Sequence, residues 1–329
     1  MIAYLAARAV NIASWLRAGL REPVFRPVAL RFALGLVVVA VVLGFGLASS
    51  DPTLRVVLWA VAVVLDIATP FATVAALSNE LSAISSSKFP ERFGLLTMIV
   101  LGESVTGVLS GVSGLHDAGR LTPAGVVQGL LGSCVGFALA WTYYDFIARR
   151  PPRPAILTAL GWVHLHMIVI IAVAATGAGI SAAIAASAGG GLDTPARLLL
   201  TGAVAVALVA IAALETTLAR GPDEFTHPRW SPGLKLGAAA AVAALGALSS
   251  STTALLAMVL AGLLVPVVYG VTAWAMATPT DTAAPAQTAT PAQTASPAET
   301  ATSTASPDPR AWPVPRIRPT ADAHPGAEK

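Results

Sequence analysis

Eight long apolar runs decide what this chain can fold into: roughly 28–48, 54–77, 93–113, 124–148, 157–187, 195–219, 233–250 and 254–276. A helix needs roughly 20 mostly apolar residues to cross about 30 Å of hydrocarbon. Inside a bilayer every backbone polar group must be satisfied within the protein, so unbroken runs of this kind read as spanning helices. Polar or turn-forming stretches separate most of them: Ser49-Ser50-Asp51-Pro52, Gly119 to Pro123, Pro151-Pro152-Arg153-Pro154, Gly189-Gly190-Gly191 and Arg220-Gly221-Pro222-Asp223. Only 11% of the 329 residues are charged, where a soluble domain carries about a quarter. That excludes an ordinary cytosolic enzyme and a nucleic-acid-binding protein. A lone cysteine, Cys134, excludes a disulfide scaffold and a Cys-based metal site within one chain.

Residues 1–17 form a ninth, weaker candidate, in which Tyr4, Arg8, Asn11 and Trp15 recur at helical spacing. The choice is between a helix lying in the interface and a span whose polar face looks into the bundle, and the span is preferred. Alternating the loops tests the count. One set holds Arg17, Arg21, Arg26, Arg31, Lys88, Arg92, Arg149, Arg150, Arg153, Arg220, Arg229 and Lys235; the other holds only Arg55, Arg120 and Arg197. Basic loops stay in the cytoplasm. The expectation is therefore an all-α, polytopic bundle of about nine spans over 1–276, multi-pass in the cell membrane, N-terminus outside and C-terminus inside. Residues 1–7 are too short for the apolar core of a signal peptide. From 277 to 329 the chain turns to PAQTAT-like repeats and Pro-rich sequence, which has little to bury and is expected to be a disordered cytoplasmic tail.

Ionisable groups within spans are expensive and mark function by default. Asp66, Glu103 and His164 each follow a flanking arginine (Arg55, Arg92, Arg153) by eleven residues. That spacing is about 16 Å along a helix, and predicts three titratable groups at a similar, mid-membrane depth. His166, two residues on, points away from the His164 face. Buried acids and histidines also fasten helices to one another, so packing competes with a polar pathway as the explanation. Pro70, four residues after Asp66, should free the Asp66 carbonyl, and Pro266 the Gly262 carbonyl. Asp145 and Glu215 sit near the inner ends of their spans and read as anchors close to water. Glu91 suits the positive end of the next helix's dipole, and Glu80 reads the same way. Gly107 and Gly111, Gly125 and Gly129, and Gly132 and Gly136 have the spacing of close helix packing. No phosphate loop, HExxH or GxSxG occurs, so neither an enzyme, a cofactor nor a metal site is expected.

The stretch Pro90-Glu91-Arg92-Phe93-Gly94-Leu95-Leu96-Thr97-Met98-Ile99-Val100-Leu101-Gly102-Glu103-Ser104 resembles the signature of the bacterial low temperature requirement A family, whose members show an ERFGLFTIIVLGES-like run. Trp59 to Pro70 resembles that family's W-x-x-A…D…P helix, with Asp66 and Pro70 matching. Trp162-Val163-His164-Leu165 resembles its aromatic-x-His-Leu helix, with His164 matching. The resemblance implies a multipass membrane protein linked to growth in the cold, without a defined substrate. Members usually open on a Glu-Leu-Phe-Phe-Asp-Leu-Val-Phe helix followed by an Asp-Asp…Arg motif. Neither is present, so the chain looks like the family without about three first spans.

Three functions follow as expectations. The first is a transporter or channel-like protein for a proton, ion or small solute, its path lined by Glu103, Asp66 and His164 and supported by Ser104, Arg92 and Pro70. The second is a structural or sensing protein that responds to the bilayer. The third is a membrane-embedded enzyme with Glu103 and His164 as acid and base. The partners expected are the lipid bilayer and the solute, with a second copy of the chain as a possibility and no nucleic acid.

Overall fold

A computed structural model describes residues 2–75, 88–148, 150–188, 191–220, 226–227, 229–248 and 251–277. Among them are nine α-helices and no strand: α1 (Ile2–Arg21), α2 (Arg26–Ala48), α3 (Pro52–Ala75), α4 (Lys88–Asp117), α5 (Pro123–Phe146), α6 (Ile156–Ala185), α7 (Thr194–Thr217), α8 (Trp230–Leu248) and α9 (Thr252–Ala277). The all-α transmembrane bundle expected from the apolar runs is what the chain forms. Glu80 and the repeat tail from 278 onward lie outside the described residues.

Among the described residues, seven helices, α2 to α7 and α9, are long and apolar enough to cross a membrane. Two of the nine helices, α1 and α8, are not among these seven. Arg8, Asn11, Arg17 and Arg21 interrupt α1. Helix α8 has 19 residues, with Lys235 the one charged residue among them. Both still run alongside their neighbours, α1 against α2 and α8 between α7 and α9. The packed face of α1 is Leu5, Arg8, Ile12, Trp15 and Gly19, with Trp15 stacked on Phe32 of α2 at 4.5 Å. Asn11, expected on that face, is exposed instead.

Helix starts follow local chemistry. Asp51 accepts from the Thr53 N–H (2.8 Å) ahead of α3, Thr122 from Gly125 (3.2 Å) at α5, and Asp193 from Ala196 (3.1 Å) at α7. Each is followed within two residues by a proline, which suits the first helical turn because its missing N–H would be unpaired there anyway. Glu91 lies in the first turn of α4, as its dipole favours. Both α3 and α9 run unbroken through Pro70 and Pro266.

The centre is built on α6 and α7. The main core joins Val169, Val173 and Ile180 of α6 to Leu200, Leu208 and Ile211 of α7 and to Leu139 and Phe146 of α5. Helices α1 to α3 form a group of their own that meets the rest where α3 packs on the first turns of α6. Val28, Val74, Ile156 and Leu160 cluster there. Many large apolar side chains lie exposed on the exterior, Leu34, Phe45, Ile99, Phe137 and Ile171 among them. Such a surface suits a solvent of lipid tails.

Candidate functional site

Helices α4 and α6 approach backbone to backbone. A Cβ placed on Gly107 of α4 would collide with the Gly177 carbonyl of α6, and one on Gly177 would lie 2.7 Å from the Glu103 carbonyl oxygen. Only glycine permits that approach. Helix α5 closes one side of this pair: Gly129 meets Val112 of α4, and Gly132 meets Ile180 of α6. Glu103 is nine residues from Val112, about 180° round the helix, so it lies on the flank away from α5. Its side chain is exposed there, and its carboxyl has no hydrogen-bond or ion partner among the described residues. The sequence expectation that a neighbouring helix would satisfy this group is not met. The neighbour meets the Glu103 backbone, and Gly102 faces open space. Ser104 turns inward, is 2% exposed, and has no partner for its Oγ against Gly136 of α5. Arg92 is exposed.

His164 lies on the other helix of this pair. Its ring meets Phe71 of α3 at 4.9 Å. Sixteen residues separate it from Ile180, about 160° round α6, so it too faces away from α5. Its Nδ1–H donates to the Leu160 carbonyl at 2.7 Å. That fixes the tautomer of the neutral ring and leaves Nε2 an acceptor, with no partner among the described residues. Glu103 and His164 therefore open on the same side of the α4–α6 pair.

Asp66 does not join them. Five residues from Phe71, it is turned about 140° away on α3, and Arg8 of α1 holds it. One Arg8 Nη donates to Asp66 Oδ1 at 2.7 Å, the other to Oδ2, and Arg8 Nε donates to the Tyr4 hydroxyl at 3.1 Å. Half-buried Pro70 supplies no side-chain polar contact. Nor do the three ionisable groups share a depth. Phe93 packs on Trp162 and His166 (both 5.0 Å), which bracket His164; Glu103 lies ten residues further along α4, about 15 Å away along the axis. The arginine spacing misled because Arg153 belongs to the loop before α6, where it donates to the Thr216 carbonyl. His164 is thus only eight residues into its helix.

Two polar clusters went unread in the sequence. His166, fully buried, donates from Nδ1 to the Trp162 carbonyl (2.8 Å) and accepts at Nε2 from the Tyr143 hydroxyl of α5 (3.1 Å). Both ring nitrogens are satisfied, which makes His166 a fastener of α5 to α6. The second cluster corrects the reading of Glu215 as an anchor near water and of Lys235 as a loop cation. Both side chains are 0% exposed and paired at 2.8 Å. Lys235 Nζ also donates to Ser231 Oγ (2.8 Å) and sits 3.3 Å from the Phe146 ring centre. Asp145, on the same side, is exposed and lies against Gly270 of α9. Over this pair the α5–α6 and α7–α8 loops are laced together: Arg153 N–H to Thr217 O and Ala219 N–H to Pro151 O, both 2.9 Å.

No curated protein and no solved structure matches the chain. One family does: the description "Bacterial low temperature requirement A protein (LtrA)" fits residues 1–284. That match covers all nine helices, including the α4 stretch that carries Glu103 and the α6 stretch that carries His164. The chain belongs to the bacterial low temperature requirement A family.

Proposed function

We propose that this protein is a transporter or channel-like protein of the cell membrane that moves a proton, ion or small solute past Glu103 and His164. The single observation that supports it is a pair of groups on one side of α4–α6 with no partner among the described residues: a carboxyl and an imidazole Nε2. In hydrocarbon an unpaired carboxyl costs several kcal/mol, so groups of this kind face a water-filled path or another polar group. A proton released by the Glu103 carboxyl can be taken up at His164 Nε2 through a chain of water that spans at least about 15 Å. Asp66, held by Arg8, contributes through the position of α1 and α3. No catalysis is part of this reading. The N-terminus is outside and the C-terminus inside, as the basic loops favour.

A second reading, a structural or bilayer-sensing bundle, draws on the Arg8–Asp66 and Lys235–Glu215 pairs, which consume polar groups in fastening helices. Flux in reconstituted liposomes separates the two. Transport requires that Glu103→Gln abolish flux while leaving the thermal melt unchanged, with His164→Ala reducing it. A Gln variant that still carries flux removes the path.

A further inference from the structure

We propose that a groove between α8 and α9, at the arginine-rich end of the bundle, holds one anionic phospholipid. The groove has a volume of about 700 Å³, and its walls include Gly233, Gly237, Ala238 and Ala241 of α8 and Val265 of α9. Its depth comes from missing side chains. A Cβ on Gly233 or Gly237 would meet nothing within 4 Å. Such a trough, apolar and open to the surroundings of the bundle, has the chemistry that an acyl chain fits.

The mouth has a different character. His227, Arg229 and Trp230 form it. His227 Nδ1 accepts the Arg229 N–H at 3.3 Å, so the neutral ring carries its proton on Nε2, a donor. The Arg229 side chain is exposed and has no partner among the described residues. Lys235, the next cation along the chain, on α8, is turned inward to Glu215 and is unavailable. Trp230 is 67% exposed, the position of an interfacial aromatic beside lipid headgroups. Two bonds hold the mouth in shape: the His227 N–H to the Tyr269 hydroxyl (2.9 Å) and Arg220 Nη1 to the Thr226 carbonyl (3.2 Å). Basic pockets between helices on the cytoplasmic side are where anionic headgroups bind. Charge complementarity therefore selects an anionic lipid for the site, with its phosphate at Arg229 and His227 and one chain against the glycines. The site does not depend on the transport reading.

The experiment is native mass spectrometry of the purified full chain with equal phosphatidylglycerol and phosphatidylcholine. The intact protein should retain phosphatidylglycerol about fivefold over phosphatidylcholine, the worth of one cation facing an anionic lipid. Arg229→Gln, on an exposed loop, should bring the two lipids level. Gly237→Leu, or Ala241→Leu where the first variant melts early, should lower retention of both. No preference in the intact protein, or a preference that survives Arg229→Gln, would overturn the proposal. So would a groove-filling variant that separates a dimer into monomers without changing lipid retention, because the occupant would then be a helix of a second copy.

Discussion

At the scale of single residues, Lys235 is the group whose surroundings say most. An ammonium has three N–H donors, and here they meet Glu215, the Ser231 hydroxyl and, at 3.4 Å, the Ser231 carbonyl. Its charge also lies over the Phe146 ring. Buried pairs gain little over apolar residues of equal shape, yet breaking one leaves a charge stranded. Lys235→Met alone, or Glu215→Leu alone, should thus destabilise by about 3–5 kcal/mol. The double variant should cost far less than the two together. Thermal melts of all four proteins give the coupling, and additive losses would mean the pair is not a unit. None of this was legible beforehand: twenty residues separate the two groups, and an α8 run beginning near 233 lets Lys235 pass for a flanking loop charge. The histidines pose the same difficulty. His164 and His166 lie about 200° apart on one helix, and only the Tyr143 hydroxyl on α5 reveals which one faces the core.

At the scale of elements, the α4–α6 contact carries the site. The glycine spacing at Gly107 and Gly111 announced close packing, and Gly111 does press on Ile184 of α6. What a spacing rule cannot give is the partner, because Gly177 has no glycine three or four residues away to flag it. The consequence can be tested at two positions. A methyl group at Gly177 would lie 2.7 Å from the Glu103 oxygen and 2.9 Å from its carbonyl carbon. Those atoms are backbone and cannot yield without parting the helices. Gly177→Ala should therefore destabilise by about 1–3 kcal/mol, as overpacking does. Gly102→Ala, whose Cβ would enter open space, should be neutral or should stabilise by up to about 1 kcal/mol through helix propensity. Melting both variants in the same detergent checks this, and equal effects would contradict the register. Helix starts were easier to read, since Asp51-Pro52, Thr122-Pro123 and Asp193-Thr194-Pro195 combine a capping side chain with a proline in sequence.

At the scale of the molecule, the question is how many helices cross. Among the described residues seven helices meet the length and hydropathy of a span, and the contacts fix the direction of the other two. Gly246, late in α8, meets Thr201, early in α7, and the loops before α6 and after α7 bond to each other. Helix α8 thus runs opposite to α7 over the same depth, as a crossing helix would. Likewise Arg8, early in α1, reaches Asp66 in α3, while Trp15 stacks on Phe32, early in α2. With all nine crossing, the loops near Ser50, Ala118 and Ser251 share one side, and those near Glu22, Pro154 and Arg229 share the other. By the positive-inside rule the second side is expected to be the cytoplasmic one. Single cysteines at these six positions, placed in a Cys134→Ser background, test both points with a maleimide that cannot cross the membrane. Ser50→Cys, Ala118→Cys and Ser251→Cys should label in intact cells, and the other three only after permeabilisation. Arg229 and Ser251 labelling from the same side would show that α8 does not cross. A clean exchange of the two sets would keep the alternation and invert the protein, so that the Lys235–Glu215 pair and its laced loops would face outward.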